Sequence, residues 1–184
     1  MQNNEIIYYF GYGTNKDLSM MQHMVGRNDL YGEAGVLLDY ELAIQSFDQI
    51  RGEIIGGSPT PVSPRQIIEE GFDNTFELFV ARPKKGAKCH GTIWHLTPLE
   101  FELTREWELV DFGMYEDAEG VAINEKGEEF NVVTQALINK PDDVDRIIEG
   151  SDYQAYLVPE DKILAKADQV REGYYKRMEG TNSQ

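Results

Sequence analysis

Apolar positions along the 184-residue chain change period several times, and each change marks a predicted element. Ile6-Ile7-Tyr8-Tyr9-Phe10 is a continuous apolar and aromatic run that stops at Gly11 and Gly13, which predicts a buried strand. From Gly35 to Gln45 the pattern alternates. Val36, Leu38, Tyr40, Leu42 and Ile44 interleave with Leu37, Asp39, Glu41, Ala43 and Gln45, predicting a strand whose first set faces a core. Further strands are predicted over 75–82, 89–96, 115–124 and 129–138. The turn signal from Arg82-Pro83 to Gly86 separates the first two, and Asn124-Glu125-Lys126-Gly127 joins the last two as a hairpin.

Helical signals are fewer and sharper. Thr97-Pro98-Leu99-Glu100 is a capping box with proline at the first helical position, and it predicts a helix running to about Val110. Pro141-Asp142-Asp143 predicts a second, ending at Gly150. Pro159-Glu160-Asp161 predicts a third, in which Ile163, Leu164, Ala167, Val170 and Tyr174 keep roughly helical spacing. Residues 15–25 form another candidate. About six strands without regular strand–helix alternation predict an α+β fold with a mixed, mainly antiparallel, barrel-like sheet and flanking helices. Residues 1–184 read as a single domain, with 139–184 a C-terminal helical extension. Between Ser46 and Asn74, Gly56-Gly57 and three prolines break every pattern; the segment is either a surface loop or a lid that sets specificity.

Charge narrows the partners. There are 33 acidic residues against 17 basic, a net −16, and the only basic cluster is Lys84, Lys85 and Lys88, so neither nucleic acid nor an anionic membrane is expected. The single cysteine, Cys89, forbids an intrachain disulfide and fits a cytoplasmic setting. The N-terminal apolar run of five residues is shorter than the ~7 to 15 of a signal peptide or the ~18 of a membrane span, so neither is expected. His90 and His95 share a predicted strand at an odd separation and face opposite ways, while Cys89 and His95 stand roughly 20 Å apart along it. No metal or cofactor is expected, and Cys89 reads as a packing residue.

Tyr9-Phe10-Gly11-Tyr12-Gly13-Thr14-Asn15 carries more chemistry. A strand that ends in two glycines and enters a helix aims backbone N–H groups outward, as an anion or oxyanion cradle does. Neither the Walker A pattern nor GxGxxG is present. On a wheel of about 100° per residue, Leu99, Leu103, Trp107 and Val110 form one stripe of the Thr97-capped helix, with Glu106 at its edge. Phe101, Thr104 and Glu108 lie opposite. Either Phe101 and Thr104 line a pocket into which Glu108 points, or Glu108 is solvated and Glu106 is the half-buried carboxylate.

The stretch from Tyr9 to Asn15 resembles the Tyr-Phe-Ala-Tyr-Gly-Ser-Asn signature that opens the γ-glutamylcyclotransferase-like superfamily, with Gly11 for Ala and Thr14 for Ser. The second signature of that superfamily, Leu-Asp-x-x-Glu and then Gly-x-Tyr, is similar to Thr104-Arg105-Glu106-Trp107-Glu108 followed by Gly113-Met114-Tyr115, with Thr-Arg in place of Leu-Asp. The stretches from Ala34 to Leu42 and from His90 to Thr97 also resemble its strands. The likeness covers residues 6–137. It implies release of an amine or amino acid from a γ-glutamyl compound with formation of 5-oxoproline, without a cofactor. Glu108 would be the general acid/base, and Tyr12, Gly13, Thr14, Asn15 and Tyr115 would bind substrate. A non-catalytic binding module on the same fold is the other reading, and a homodimer is compatible with both.

One helix concentrates the acidity: Pro98 to Asp111 holds Glu100, Glu102, Glu106, Glu108 and Asp111 against Arg105 alone. Such a field is expected to raise the pKa of a buried carboxylate there. It also favours a released amine that is neutral or cationic.

Overall fold

The computed structural model describes residues 5–181. Six strands, β1 (Ile7–Gly11), β2 (Gly32–Ser46), β3 (Glu77–Leu96), β4 (Glu116–Asn124), β5 (Glu129–Ala136) and β6 (Arg146–Ile148), follow the order β3-β1-β5-β4-β2-β6, and β2 also pairs with β3. That last pairing closes the first five strands into a barrel and leaves β6 on its outer edge. The β1–β5 pair is parallel and the others antiparallel, so the sheet is mixed and mainly antiparallel. Four α-helices, α1 (Leu18–Val25), α2 (Pro64–Glu69), α3 (Pro98–Trp107) and α4 (Glu160–Thr181), lie outside it. No helix among the described residues is long and apolar enough to cross a membrane.

The barrel interior is filled by Phe10, Leu37, Leu42, Cys89, Ile93, Ala122 and Val132. Cys89 is wholly buried there, and that burial pushes its thiol up to about 12, so it acts as a small apolar side chain. A second core lies between barrel and helices, where Tyr9, Trp94 and Leu96 meet Met20, Met21 and Met24 of α1 and Ile163 and Ala167 of α4. Removing side chains of this size from water contributes about 1.5–3 kcal/mol each.

Several predicted features change. The residues of 75–82 and 89–96 belong to one strand, β3, because the Arg82–Gly86 turn signal produces an outward bulge: register runs from Leu38↔Lys88 to Tyr40↔Pro83, so Asp39 alone opposes residues 84–87. Asp39 adopts φ 60° and its carboxylate accepts from the Gly86 amide at 2.7 Å, which caps the bulge without breaking the ladder. The bulge also resets the alternation of β2. Gly35 and Leu37 are buried before it, Tyr40, Leu42 and Ile44 after it, while Val36 and Leu38 of the predicted inner set are only half-buried.

The helix predicted from Pro141 does not form. β4 pairs with β2 only over Gly35–Leu37, so the outer edge of β2 at Leu42–Ile44 has free backbone groups, and residues 146–148 pair with them as β6. Residues 15–25 divide into a 3-10 turn, Gly13–Lys16, and α1, whose N-cap Asp17 accepts from the Met20 amide. Helix α3 has the predicted capping box at Thr97 and Glu100 but stops at Trp107, short of Val110, because Leu109 turns left-handed at φ 53°. It buries Glu100, Leu103 and Thr104 and leaves Leu99 48% exposed, so the predicted apolar stripe is rotated toward Thr104. Glu100 is drawn in by the Thr97 amide and by an ion pair with Arg27.

The 46–74 segment is packed against the barrel. Phe47, Ile50 and Ile68 form a small core with Phe72, Phe76 and Met114. Ser63 and Gln66 make a capping box that starts α2, and the Arg65 guanidinium donates to the Ile50 and Asp48 carbonyls.

Candidate functional site

Strand β1 leaves the barrel at Gly11 and the chain folds straight back over its own end. A Cβ at Gly11 would lie 2.2 Å from the Asn15 carbonyl oxygen, and one at Gly13, where φ is +58°, would lie 2.6 Å from Phe79 Cβ. Only glycine permits both approaches. The fold-back places Asn15 inside, 2% exposed, with its carbonyl accepting from Trp94 Nε1 at 2.8 Å.

Asn15 reaches the end of α3. Its Nδ2 donates to Glu108 Oε1 at 2.6 Å and to the Tyr9 hydroxyl at 2.8 Å, and its Oδ1 accepts from Thr14 Oγ1 at 3.4 Å. Glu108 is the C-cap of α3, followed by left-handed Leu109, so its side chain leaves the helix direction and opens on a pocket. Glu106 instead pairs with Arg177 of α4. The structure thus joins Glu108, not Glu106, to the glycine-rich loop.

Burial pushes the Glu108 carboxyl up to about 7, against the Asn15 hydrogen bond, which lowers it. A position at the negative end of a helix acts in the same direction as burial. The other acids of the helix are not the cause. Arg105 pairs with Asp111 at 2.9 Å and Asp117 at 3.0 Å, Arg27 with Glu100 and Arg177 with Glu106. The acidic field expected from composition is therefore largely cancelled by Arg105 of the helix itself and by Arg27 and Arg177, brought in from elsewhere in the fold. Tyr9, Tyr12 and Tyr115 are all raised above the ordinary phenol value, by burial first and by the nearby Glu108, so they stay neutral.

The pocket has a volume of about 120 Å³. Tyr12, Thr14, Glu108 and Tyr115 line it, whereas Gly13 and Asn15 lie behind and shape it. The Tyr115 hydroxyl donates to the Phe79 carbonyl at 3.3 Å and the Tyr12 hydroxyl to the Gln135 carbonyl at 2.6 Å, so both phenols are held by the barrel backbone. The backbone cradle is narrower than expected: the Asn15 amide donates to the Tyr12 carbonyl and the Gly13 amide to the Tyr153 hydroxyl. Thr14 is the loop residue left to offer a donor to the pocket.

Three further residues hold the site and escaped the sequence reading. Tyr9 orients Asn15; its signal was a polar-tipped aromatic in a buried strand, which needs a partner for its hydroxyl. Trp94 anchors the Asn15 carbonyl. Tyr153 accepts from Gly13, donates to the His90 carbonyl at 2.6 Å and carries Lys16 Nζ 3.6 Å from its ring centre. It lies 140 residues from Gly13 in sequence, so no local pattern could connect them. His95 packs edge-on against Tyr8 and Tyr31. Among the described residues, no group of three or more His, Cys, Asp and Glu side chains is placed to hold a metal ion.

No family model and no curated protein matches the chain in sequence. Its likeness to known proteins is in structure. A γ-glutamyl cyclotransferase superposes with a TM-score of 0.56 at 14% identity, over 95% of this chain and 87% of that one. An uncharacterised human protein gives 0.55 at 16% identity, over 78% and 70%. YkqA from Bacillus subtilis gives 0.52 at 15% identity, over 95% of this chain and 55% of that one. At these identities the likeness concerns the fold, and it agrees with the closed mixed barrel and its covering helices: the chain has the γ-glutamyl cyclotransferase-like fold.

Proposed function

We propose that the protein is a γ-glutamyl cyclotransferase-type enzyme in which Glu108 is the general acid/base. The observation that carries this reading is a single carboxyl group with its pKa brought to about 7, fixed by Asn15 and opening on a pocket beside Thr14. Glu108 Oε1 is occupied by Asn15, which leaves Oε2 for the substrate. The ionised carboxylate takes a proton from the α-ammonium of the γ-glutamyl unit. The freed amine attacks the γ-carbonyl of the same molecule, closing a five-membered ring, so the protein has only to hold a folded conformer. The Thr14 backbone amide stabilises the oxyanion that forms on the γ-oxygen. Collapse of the tetrahedral intermediate breaks the bond to the departing nitrogen, which receives the proton from Glu108, giving 5-oxoproline and the free amine.

A carboxyl that titrates near neutrality suits both halves of this cycle, since it must accept and return one proton. Incubation with a panel of γ-glutamyl amines and γ-glutamyl amino acids is expected to release 5-oxoproline. Glu108→Gln is expected to lower kcat by about 10²–10⁴-fold with little change in KM. Wild-type inactivity across the panel would remove the enzymatic reading and leave a binding module; unchanged kcat in the variant would remove Glu108 from the chemistry.

A further inference from the structure

The polar floor of the pocket is small and its walls are apolar. Beyond Thr14, Glu108 and Tyr115, the lining comes mainly from two segments outside the signature stretches. The 46–74 region supplies Ile67 and Phe72, Phe76 follows just before β3, and the C-terminal segment supplies Leu157, Val158 and Val170, with Trp107 between them. Glu77 also lines the pocket, but its carboxylate is held by both terminal nitrogens of Arg146. Lys166 is the one cation in the lining.

We infer that this apolar compartment receives the group released from the γ-glutamyl unit, and that the substrate is a γ-glutamyl amide of an amine bearing a branched alkyl or single aromatic group. The inference rests on the proposed γ-glutamyl chemistry and adds the class of amine. Three observations support it. The glutamyl unit, with its charged α-carbon substituents, has its partners on the floor around Glu108 and Thr14, so the remaining space belongs to the departing group. That space is walled mainly by aromatic and branched aliphatic side chains, which exclude water and would leave an ammonium on the released group unsolvated. The whole pocket, at about 120 Å³, has no room for a peptide beside the glutamyl unit, so the departing group is small. Ile68 and Ile163, both largely buried, complete the walls, and Lys162 Nζ stands 4.9 Å from the Phe72 ring centre.

Glutaryl monoamides separate this inference from the catalytic one. They keep the carboxylate and the amide but lack the α-amine, so they cannot cyclise and report binding alone. Calorimetric titration is expected to show the phenethyl amide binding at least tenfold more tightly than the methyl amide, and the 4-aminobutyl amide no better than the methyl. Phe72→Ala is expected to reduce the phenethyl preference at least fivefold, as is Val170→Lys, a half-buried helix position whose replacement leaves the small core around Ile68 intact. Equal Kd values for the phenethyl and methyl amides, or a preference that survives in both folded variants, would overturn the inference. A phenethyl preference without 5-oxoproline release from the matching γ-glutamyl amides would uphold the compartment and overturn the cyclotransferase chemistry.

Discussion

Glu108 keeps its proton to about pH 7 in the folded chain, whereas its ordinary value is 4.5. Below 4.5 both folded and unfolded states are protonated. Between 4.5 and 7 the unfolded chain releases a proton that the folded one retains, so this residue makes stability fall as pH rises through that window. The full loss is present above 7, and partial solvent access to the pocket holds it to roughly 1–3 kcal/mol. Glu108→Gln keeps an acceptor for Asn15 and removes the charge. The variant is therefore expected to melt several degrees above the wild type at pH 8 and level with it at pH 4, measured by scanning calorimetry. A lower melting temperature at pH 8 would show that the carboxylate is held without cost. In the sequence, Glu108 stands out through the resemblance of residues 104–115 to the second superfamily signature, and Asn15 through the glycine-rich stretch. Their contact, across 93 residues, depends on the left-handed turn at Leu109, a conformation disfavoured for leucine that nothing in the local sequence announces.

Secondary-structure elements were legible where a local rule governs them. The capping box at Thr97, the proline-led start of α4 and the hairpin at residues 124–127 all depend on groups within four residues of each other. The errors arose where a distant partner decides. Arg82-Pro83 to Gly86 has the composition of a turn, yet Asp39 caps it as a bulge; Pro141-Asp142-Asp143 has the composition of a helix start, yet the free edge of β2 takes the chain as β6. Tyr153, in the loop after β6, is the clearest case of an element held from afar, because one hydroxyl ties the Gly13 amide to the His90 carbonyl. Tyr153→Phe leaves both groups without that partner and is expected to cost about 1–3 kcal/mol in urea denaturation. It should also lower kcat more than it raises KM, since it loosens the loop whose Thr14 meets the developing oxyanion. An unchanged unfolding midpoint would mean that water replaces the hydroxyl at both ends.

The net charge of −16 acts on the molecule as a whole. Arg27, Arg82, Arg105, Arg146 and Arg171 each pair with at least one carboxylate, so the arginines are committed and the surplus of acids remains as self-repulsion. Raising NaCl from 10 to 200 mM at pH 7.5 screens charges beyond about 10 Å more than it weakens contact pairs, and the melting temperature is expected to rise by a few degrees. A fall would mean that the ion pairs, rather than the surplus, dominate the electrostatics of the folded state.

By itself the sequence determined what short-range chemistry controls: which segments extend or coil, that Gly11 and Gly13 open a tight loop, and that the chain can build a mixed barrel. It also narrowed the candidate carboxylates to Glu106 and Glu108. Tertiary structure decided which of the two meets the loop, because the direction of a side chain at a helix end follows from the turn that ends the helix. It decided the electrostatics, because Arg27 and Arg177, distant in sequence, pair with Glu100 and Glu106 of α3 while burial raises Glu108. It also decided the character of the pocket, whose apolar walls come from the 46–74 region and α4, segments brought together only when the barrel closes and the helices cover it.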